Sequence, residues 1–341
     1  MKILIVSDAW HPQINGVVRT YEQLSHALAA TGHDVKIIGP ADFPLRMPLP
    51  GYPEIRLALF PYMRLKKLIT AAAPDQIHIA TEGPLGQAAR RYCLKHAKTF
   101  TTAYHSRFPD FIAVRVNQYV PLLAGIAKKY TARLLRRFHA PAKVVMVSTQ
   151  SLQDELTKTG FCPPMVRLTR GVDTGIFYPG PKTLFHALKK PVALYAGRIA
   201  IEKNINAFLD MPWHGDKVVA GYGPDLEKLK KKYPHVHFTG KKTGEALAEH
   251  YRSADVFVFP SKTDTFGMVL IEALACGLPV AAYNVMGPRD VITEDFLGAL
   301  DDDLSRAAMK ALTTGSANER HAHIRTHYTW DKAARQFLDA L

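Results

Sequence analysis

Between Phe257 and Val280 the chain reads FVFPSKTDTFGMVLIEALACGLPV, and this stretch leaves few choices of fold. Val256, Phe257, Val258 and Phe259 form an apolar run that stops at Pro260, as a buried strand does. The polar loop Ser261-Lys262-Thr263-Asp264-Thr265 follows. From Phe266 the pattern turns helical, with Leu270, Ile271, Leu274 and Ala275 on the apolar side, until Gly277 and Pro279 end it. Asp264 then lies at the mouth of the helix and Glu272 about two turns inside it. A helix start presents unpaired N–H groups and the positive end of a dipole, which together hold a phosphate group. Two carboxylates beside such a pole suit a ligand that is anionic in the middle and rich in hydroxyls at both ends. A nucleotide-diphosphate sugar has that form.

The same order of strand, loop and helix recurs along the chain. Lys2 to Ser7 reads as a strand, Asp8 to Gly16 as a loop, Val17 to Ala30 as a helix and Val35 to Ile38 as the next strand: a βαβ unit with a parallel sheet. Its turn is poor in glycine and does not match GxGxxG, so no nicotinamide site is expected. Asn15-Gly16 either lets a ligand approach the backbone or makes a plain tight turn. From Pro40 to Pro61 the chain is rich in proline, with an extended piece at Ile55 to Leu59. Further strands at Gln76 to Ala80 and Phe100 to Tyr104 end at the polar groups Thr81-Glu82-Gly83 and His105-Ser106. In open α/β sheets that edge binds ligands. Val144 to Ser148 and Val166 to Leu168 continue the pattern as far as Thr169-Arg170-Gly171-Val172-Asp173.

The Pro- and Gly-rich Phe177-Tyr178-Pro179-Gly180-Pro181 marks a domain boundary. Beyond it come a strand at Val192 to Ala196, a loop through Lys203, a strand at Lys217 to Ala220, the loop Gly221-Tyr222-Gly223-Pro224 and a strand at Val236 to Thr239. The expected organisation is a first domain over 1–178 and a second over 179–327. A helix over 328–341 would cap the second domain or cross back to the first. The fold class is α/β, with two Rossmann-like parallel sheets facing a cleft.

Composition narrows the function. The 341 residues, 47% of them hydrophobic, supply two cores. MKILIVSDAW reaches Ser7 and Asp8 too soon for a signal peptide's apolar region, and no apolar run approaches the roughly 18 residues of a membrane span. Cys93, Cys162 and Cys276 stand apart, without metal-ligand spacing, and read as reduced thiols of a cytoplasmic protein. The net charge of +14 favours an anionic partner. It is concentrated: between Gly83 and Lys143 the only acid is Asp110. Within that region Tyr119 to Phe138 is amphipathic, with Lys128, Lys129, Arg133, Arg136 and Arg137 set among Leu122, Leu123, Ile126, Tyr130, Leu134, Leu135 and Phe138. Such a helix either packs on a core with its basic face solvated or lies on an anionic membrane surface. The charge excess beyond the helix favours the membrane.

These residues resemble glycosyltransferase family 4, retaining enzymes of the two-domain GT-B fold, over nearly the whole chain. Asp264 and Glu272 have the spacing of that family's Glu, seven residues, Glu motif, and EALACGLPV continues it. Gly197-Arg198 with Lys203 resembles its phosphate-binding pair, Arg170-Gly171-Val172-Asp173 its linker motif, and Gly221-Tyr222-Gly223-Pro224 its G-x-G-P turn. Asn15-Gly16-Val17 and Tyr104-His105 resemble the loop and histidine near the reacting sugar. PLPGYPEIRLAL at Pro48 to Leu59, TEGPLG at Thr81 to Gly86 and TAYHSRFPDF at Thr102 to Phe111 look most like the lipid-glycosylating branch: sulfoquinovosyl- and glucosyl-diacylglycerol synthases and GDP-mannose-dependent α-mannosyltransferases. Asp264 departs from the family's usual Glu by one methylene.

The resemblance implies transfer of a hexose from a UDP- or GDP-linked donor to a hydroxyl, most simply on a membrane lipid such as diacylglycerol, with retention at the anomeric carbon. Arg198 and Lys203 would neutralise the diphosphate, helped by the amides of Phe266 and Gly267. Glu272 would accept from the ribose and Asp264 from the donor sugar, with Gly16, Arg170, Gly221 and Gly223 completing the donor site. His105 would position a sugar hydroxyl, and a leaving-phosphate oxygen would serve as base. Glu82 and the basic helix would face acceptor and membrane. No cofactor is called for, and the enzyme would be cytoplasmic, peripheral at the inner face of the plasma membrane.

Asp301-Asp302-Asp303 has no strand pattern before it and reads as the solvated acidic start of a helix rather than a metal site. Competing readings are transfer to a polysaccharide or other soluble acceptor, a nucleotide-sugar epimerase or hydrolase, and a basic peripheral membrane-binding protein without catalysis. Nucleic acid is not expected, because no RNA-binding signature is present.

Overall fold

In the computed structural model the chain divides into two units: Met1–Arg170 with Trp330–Leu341, and Gly171–Thr329. The structure describes all residues except Ile14, Pro50, Gly51 and Ser106, and only the backbone of Leu49, Tyr52, Pro53, Glu54, Phe111, Val114, Arg115, Gln118 and Tyr119. Ile14 and Ser106 of the sequence-derived loops, and Pro50 and Gly51 of the Pro48 to Leu59 stretch, therefore lie outside the described residues.

The first unit runs Lys2–Val6 (β1), Gly16–Ala30 (α1), Asp34–Ile38 (β2), Arg46–Leu49 (β3), Tyr52–Ala58 (β4), Tyr62–Ala72 (α2), Gln76–Ile79 (β5) and Pro84–Lys95 (α3). It continues with Thr101–Tyr104 (β6), Phe108–Tyr119 (α4), Pro121–His139 (α5), Val145–Val147 (β7), Gln150–Lys158 (α6) and Met165–Arg167 (β8). Six strands form a parallel sheet in the order β2-β1-β5-β6-β7-β8, and β3 and β4 form an antiparallel hairpin beside the loop that follows β2. Helix α1 starts where Asn15 accepts from the Val17 and Val18 amides, both at 3.0 Å, and it buries Val18, Tyr21, Leu24 and Leu28, one face at helical spacing.

The second unit runs Ala193–Ala196 (β9), Ile205–Asp210 (α7), Lys217–Ala220 (β10), Leu226–Lys232 (α8), His237–Gly240 (β11), Gly244–Ser253 (α9) and Val256–Phe259 (β12). Met268–Ala275 (α10), Val280–Tyr283 (β13), Pro288–Val291 (α11), Gly298–Asp301 (β14), Leu304–Ala311 (α12) and Ala317–His327 (α13) complete it. Its parallel sheet has the order β11-β10-β9-β12-β13-β14. The central strands β9 and β12 are buried along their length because helices cover both faces, which is why they read as unbroken apolar runs.

The last helix, Trp330–Ala340 (α14), belongs to the first unit. Its Ala333, Ala334 and Phe337 join the core of β1 and α1, the Gln336 side chain accepts from the Thr169 amide at 2.8 Å, and Lys143 Nζ donates to the Leu341 carbonyl at 2.7 Å. Burying Phe337 completely contributes about 1.5–3 kcal/mol to holding the helix there.

Four sequence expectations shift. The units divide between Arg170 and Gly171 rather than after Tyr178, because Val172 and Phe177 are buried in the core of the second unit. The amphipathic stretch is the single helix α5, which starts at Pro121 rather than Tyr119, since Pro121 has no N–H to donate and holds Val120 extended at φ −142 and ψ 81, where α4 ends. Helix α10 starts at Met268 rather than Phe266, after Gly267 in the left-handed region at φ +88. A strand, β14, does precede Asp302, and Asp301 is its last residue.

Candidate active site

In the second unit three loops leave neighbouring strands at the carboxyl edge of the sheet: 197–204 after β9, 221–224 after β10 and 260–267 after β12. The first two lie backbone against backbone. Gly197 N donates to Ala220 O and Ile199 N to Tyr222 O, both at 3.0 Å, and a Cβ at Gly221 or Gly223 would stand 2.0 Å from the Gly197 or Ile199 carbonyl oxygen. These two glycines are thus required by the contact between loops. The first and third loops are joined by Asn204 Nδ2 donating to Pro260 O at 3.0 Å and Thr263 Oγ1 to Glu202 O at 3.2 Å.

That joint brings two of the sequence-derived residues together. Lys203 Nζ lies 2.5 Å from Asp264 Oδ1, with both side chains partly exposed. The second carboxylate oxygen of Asp264 and the hydroxyl of Ser261 are buried, and among the described residues neither has a hydrogen-bond partner. A buried acceptor left unpaired costs about 1–3 kcal/mol, so Asp264 Oδ2 is poised for a donor the protein does not supply. Glu272 is 3% exposed, which sets aside an exposed position on the helix, and the Tyr251 hydroxyl donates to its Oε2 at 3.2 Å. The Arg198 carbonyl accepts from Tyr195 Oη at 2.6 Å, and the Phe266 ring is buried edge-on to Tyr328.

In the first unit the edge of the sheet holds a different arrangement. Gly16 opens α1 behind Asn15. His105 follows β6, with Tyr21 Oη 2.8 Å from its Nε2 and Arg170 Nη2 3.0 Å from its Nδ1. Tyr21 Oη also lies 2.7 Å from His78 Nε2, and His78 Nδ1 lies 2.8 Å from Thr101 Oγ1. Burial, then the Arg170 charge and the neighbouring histidines, hold His105 well below the usual imidazole range; burial lowers His78 to about 3. Arg170 is 5% exposed and donates to the Leu168 and Thr169 carbonyls as well, with no carboxylate partner among the described residues; burial lowers it to about 10.

Beside this group the Asp8 carboxylate caps α3, accepting from the Leu85 and Gly86 amides at 2.9 and 3.2 Å and from Thr81 Oγ1 at 3.0 Å. Burial outweighs these bonds and raises its pKa to about 6. Glu82 lies 3.3 Å from Nε2 of the fully buried His139. Asp8, Tyr21 and His78 were not singled out in the sequence, although a histidine in the middle of the buried run QIHI was a usable signal.

Helix α5 turns only Leu135, Phe138 and His139 into the core. Leu122, Ile126 and Tyr130 are 92%, 65% and 64% exposed, and Lys129, Arg133 and Arg137 are exposed as well. Lys128 pairs with Asp110 at 2.5 Å and Arg136 donates to the Thr159 carbonyl at 2.6 Å. In the acidic triplet, Asp301 pairs with Arg306 and Asp303 accepts from the Ser305 and Arg306 amides as the cap of α12. Among the described residues no group of three His, Cys, Asp or Glu could hold a metal ion.

Two parallel-sheet α/β units with charged loops at their carboxyl edges have the architecture of the GT-B glycosyltransferases. Residues 14–175 match Glycosyltransferase Family 4 and residues 181–326 match Glycosyl transferases group 1. A GDP-mannose-dependent α-mannosyltransferase of Mycobacterium tuberculosis is 28% identical over 323 residues, covering 88% of this chain and 83% of its own. An α-monoglucosyldiacylglycerol synthase of Acholeplasma laidlawii is 27% identical over 321 residues, covering 82% and 79%. The sucrose-phosphate synthase structure from Thermosynechococcus elongatus superposes with a TM-score of 0.76 at 20% identity, over 99% of this chain and 97% of that one. The chain belongs to the family 4 glycosyltransferases and is a hexosyltransferase that uses a nucleotide sugar.

Proposed function

We propose that this chain moves a hexose from a UDP- or GDP-linked sugar to the hydroxyl of a membrane lipid such as diacylglycerol, with retention, giving an α-linked glycolipid at the inner face of the plasma membrane. The observation that carries the lipid acceptor is the outward face of α5. Leu122, Leu123, Ile126 and Tyr130 are exposed in its first half, and Arg133, Arg136 and Arg137 in its second. Exposed apolar side chains next to cations with no carboxylate partner among the described residues suit entry into lipid with contact to anionic headgroups. The synthase relative from Acholeplasma laidlawii supports the same acceptor class.

On the donor side Arg198 and Lys203 take the diphosphate. Asp264 Oδ2 accepts from a sugar hydroxyl, and Glu272 from the ribose. As the bond from the anomeric carbon to the diphosphate oxygen breaks, the acceptor oxygen bonds to that carbon and passes its proton to the leaving phosphate. His105 has both ring nitrogens engaged by the protein, which leaves neither for the sugar hydroxyl it was expected to position and agrees with a phosphate oxygen rather than an imidazole acting as base.

Flotation with vesicles containing anionic lipid and diacylglycerol tests the reading. Neutralising Lys129, Arg133 and Arg137 together should weaken vesicle binding about a hundredfold, at about 1 kcal/mol for each residue near the lipid. Unchanged flotation, with transfer to a soluble acceptor intact, would show that the acceptor is not a lipid.

A further inference from the structure

Arg170, His105, Tyr21, His78 and Thr101 form a hydrogen-bonded relay whose direction follows from one end. A guanidinium only donates, so Nδ1 of His105 must accept from Arg170. A neutral imidazole that accepts at one nitrogen carries its proton on the other, so His105 Nε2–H donates to Tyr21 Oη. The phenol proton is then directed to His78 Nε2, which accepts it. His78 is left with its proton on Nδ1, donating to Thr101 Oγ1. One tyrosine oxygen serves both histidines, and a phenylalanine there would strip both at once.

We propose that Arg170 sets the direction of this relay and that Tyr21 and His78 are positioning residues that hold His105 in one tautomer and one orientation for sugar transfer. The positioning role rests on the reading of His105 as a group beside the reacting sugar. The relay itself stands on the geometry. It joins α1, β5, β6 and the segment after β8, so the ring of His105 is fixed from two sides by elements distant in sequence. It also makes the tautomer of His78 depend on Arg170, to which it is linked only through two intervening side chains.

The test uses the full chain labelled with 15N-histidine. At neutral pH the ring-nitrogen shifts should show His105 protonated on Nε2 and His78 on Nδ1. In Arg170→Met the bias is gone, and a second tautomer should appear at both histidines together. In transfer assays Tyr21→Phe should lower kcat about tenfold or more, from loss of orientation, with KM for the nucleotide sugar within about twofold. The opposite tautomer at either histidine of the wild type would overturn the relay, and that measurement holds even where a variant fails to fold. A second tautomer at His105 alone in Arg170→Met would overturn the coupling. Wild-type tautomers as assigned with unchanged kcat in Tyr21→Phe would overturn the positioning role and leave the glycosyltransferase reading standing. Full kcat in His105→Ala would overturn both the positioning role and the place given to His105.

Discussion

The two units hold charge at their sheet edges in opposite ways. In the second, Lys203 and Asp264 are paired on two loops, both partly exposed, with one carboxylate oxygen still unsatisfied. In the first, Arg170 is buried with no carboxylate partner among the described residues, and its charge is taken up by two carbonyls and a chain of neutral side chains. A partly exposed pair between two loops exchanges partners at lower cost than a buried network, which resists rearrangement. On the proposed function, the second unit admits a charged ligand and the first keeps a geometry.

This contrast predicts a split between binding and turnover, and that split carries the largest effect. Glu272→Ala should abolish the thermal stabilisation that UDP- or GDP-sugars give the wild type, about 2.7 kcal/mol at a hundredfold excess over Kd, and cut kcat/KM about a hundredfold or more. Tyr21→Phe should keep that stabilisation. If Tyr21→Phe lost the shift as completely as Glu272→Ala, the contrast between an admitting site and a fixed one would be broken. The nucleotide that gives the shift also identifies the base of the donor.

The same contrast explains what the sequence disclosed. Asp264, Phe266, Gly267 and Glu272 lie within one strand, loop and helix, so their spacing alone placed them around a helix start. Tyr21, His78, His105 and Arg170 come from separate elements and meet only once the sheet has formed. His105 and Arg170 stood out only through the family resemblance; Tyr21 looks ordinary on the apolar face of α1, and His78 was marked only by its place inside a buried strand. The glycines at 221 and 223 were legible as a turn, but their reason, the two carbonyls they pass, belongs to a neighbouring loop. The amphipathic period of Tyr119 to Phe138 gave helix α5 almost in full, and only its start, at Pro121, lay two residues further on.

An intermediate effect separates the units by pH. His105 and His78 stay neutral in the folded chain, while histidines of the unfolded chain take up a proton below about 6.5. Below that pH the unfolded state binds more protons, so stability falls on acidification and is level above it. Asp8 works the other way. Its raised pKa of about 6 means the folded carboxyl regains its proton first, so between about 6 and 3.8 acidification adds stability. The two histidines outweigh the one acid, and the net loss between about pH 7.5 and 5.5 is about 2 kcal/mol. Hydrogen exchange should show it in the amides of β1, β5 and β6. Equal protection at both pH values would mean that the relay histidines titrate freely.

The smallest effect sharpens the contrast most. If the Lys203 and Asp264 pair is held ready for exchange, it must contribute little to the fold without ligand, as a surface pair gaining about 0–1 kcal/mol does and a pair isolated from water, which resists the loss of either partner by about 3–5 kcal/mol, does not. At 29% and 17% exposure the pair lies between these limits. A double-mutant cycle with Lys203→Met and Asp264→Asn, read by denaturant unfolding without nucleotide sugar, should give a coupling under about 1 kcal/mol. Added nucleotide sugar should change that coupling, since each partner then meets the ligand instead of the other. A coupling of several kcal/mol that the ligand leaves untouched would make the pair a fixed part of the scaffold. The second unit would then be built on the same plan as the first, and the unsatisfied oxygen of Asp264 would no longer mark the place of a sugar hydroxyl.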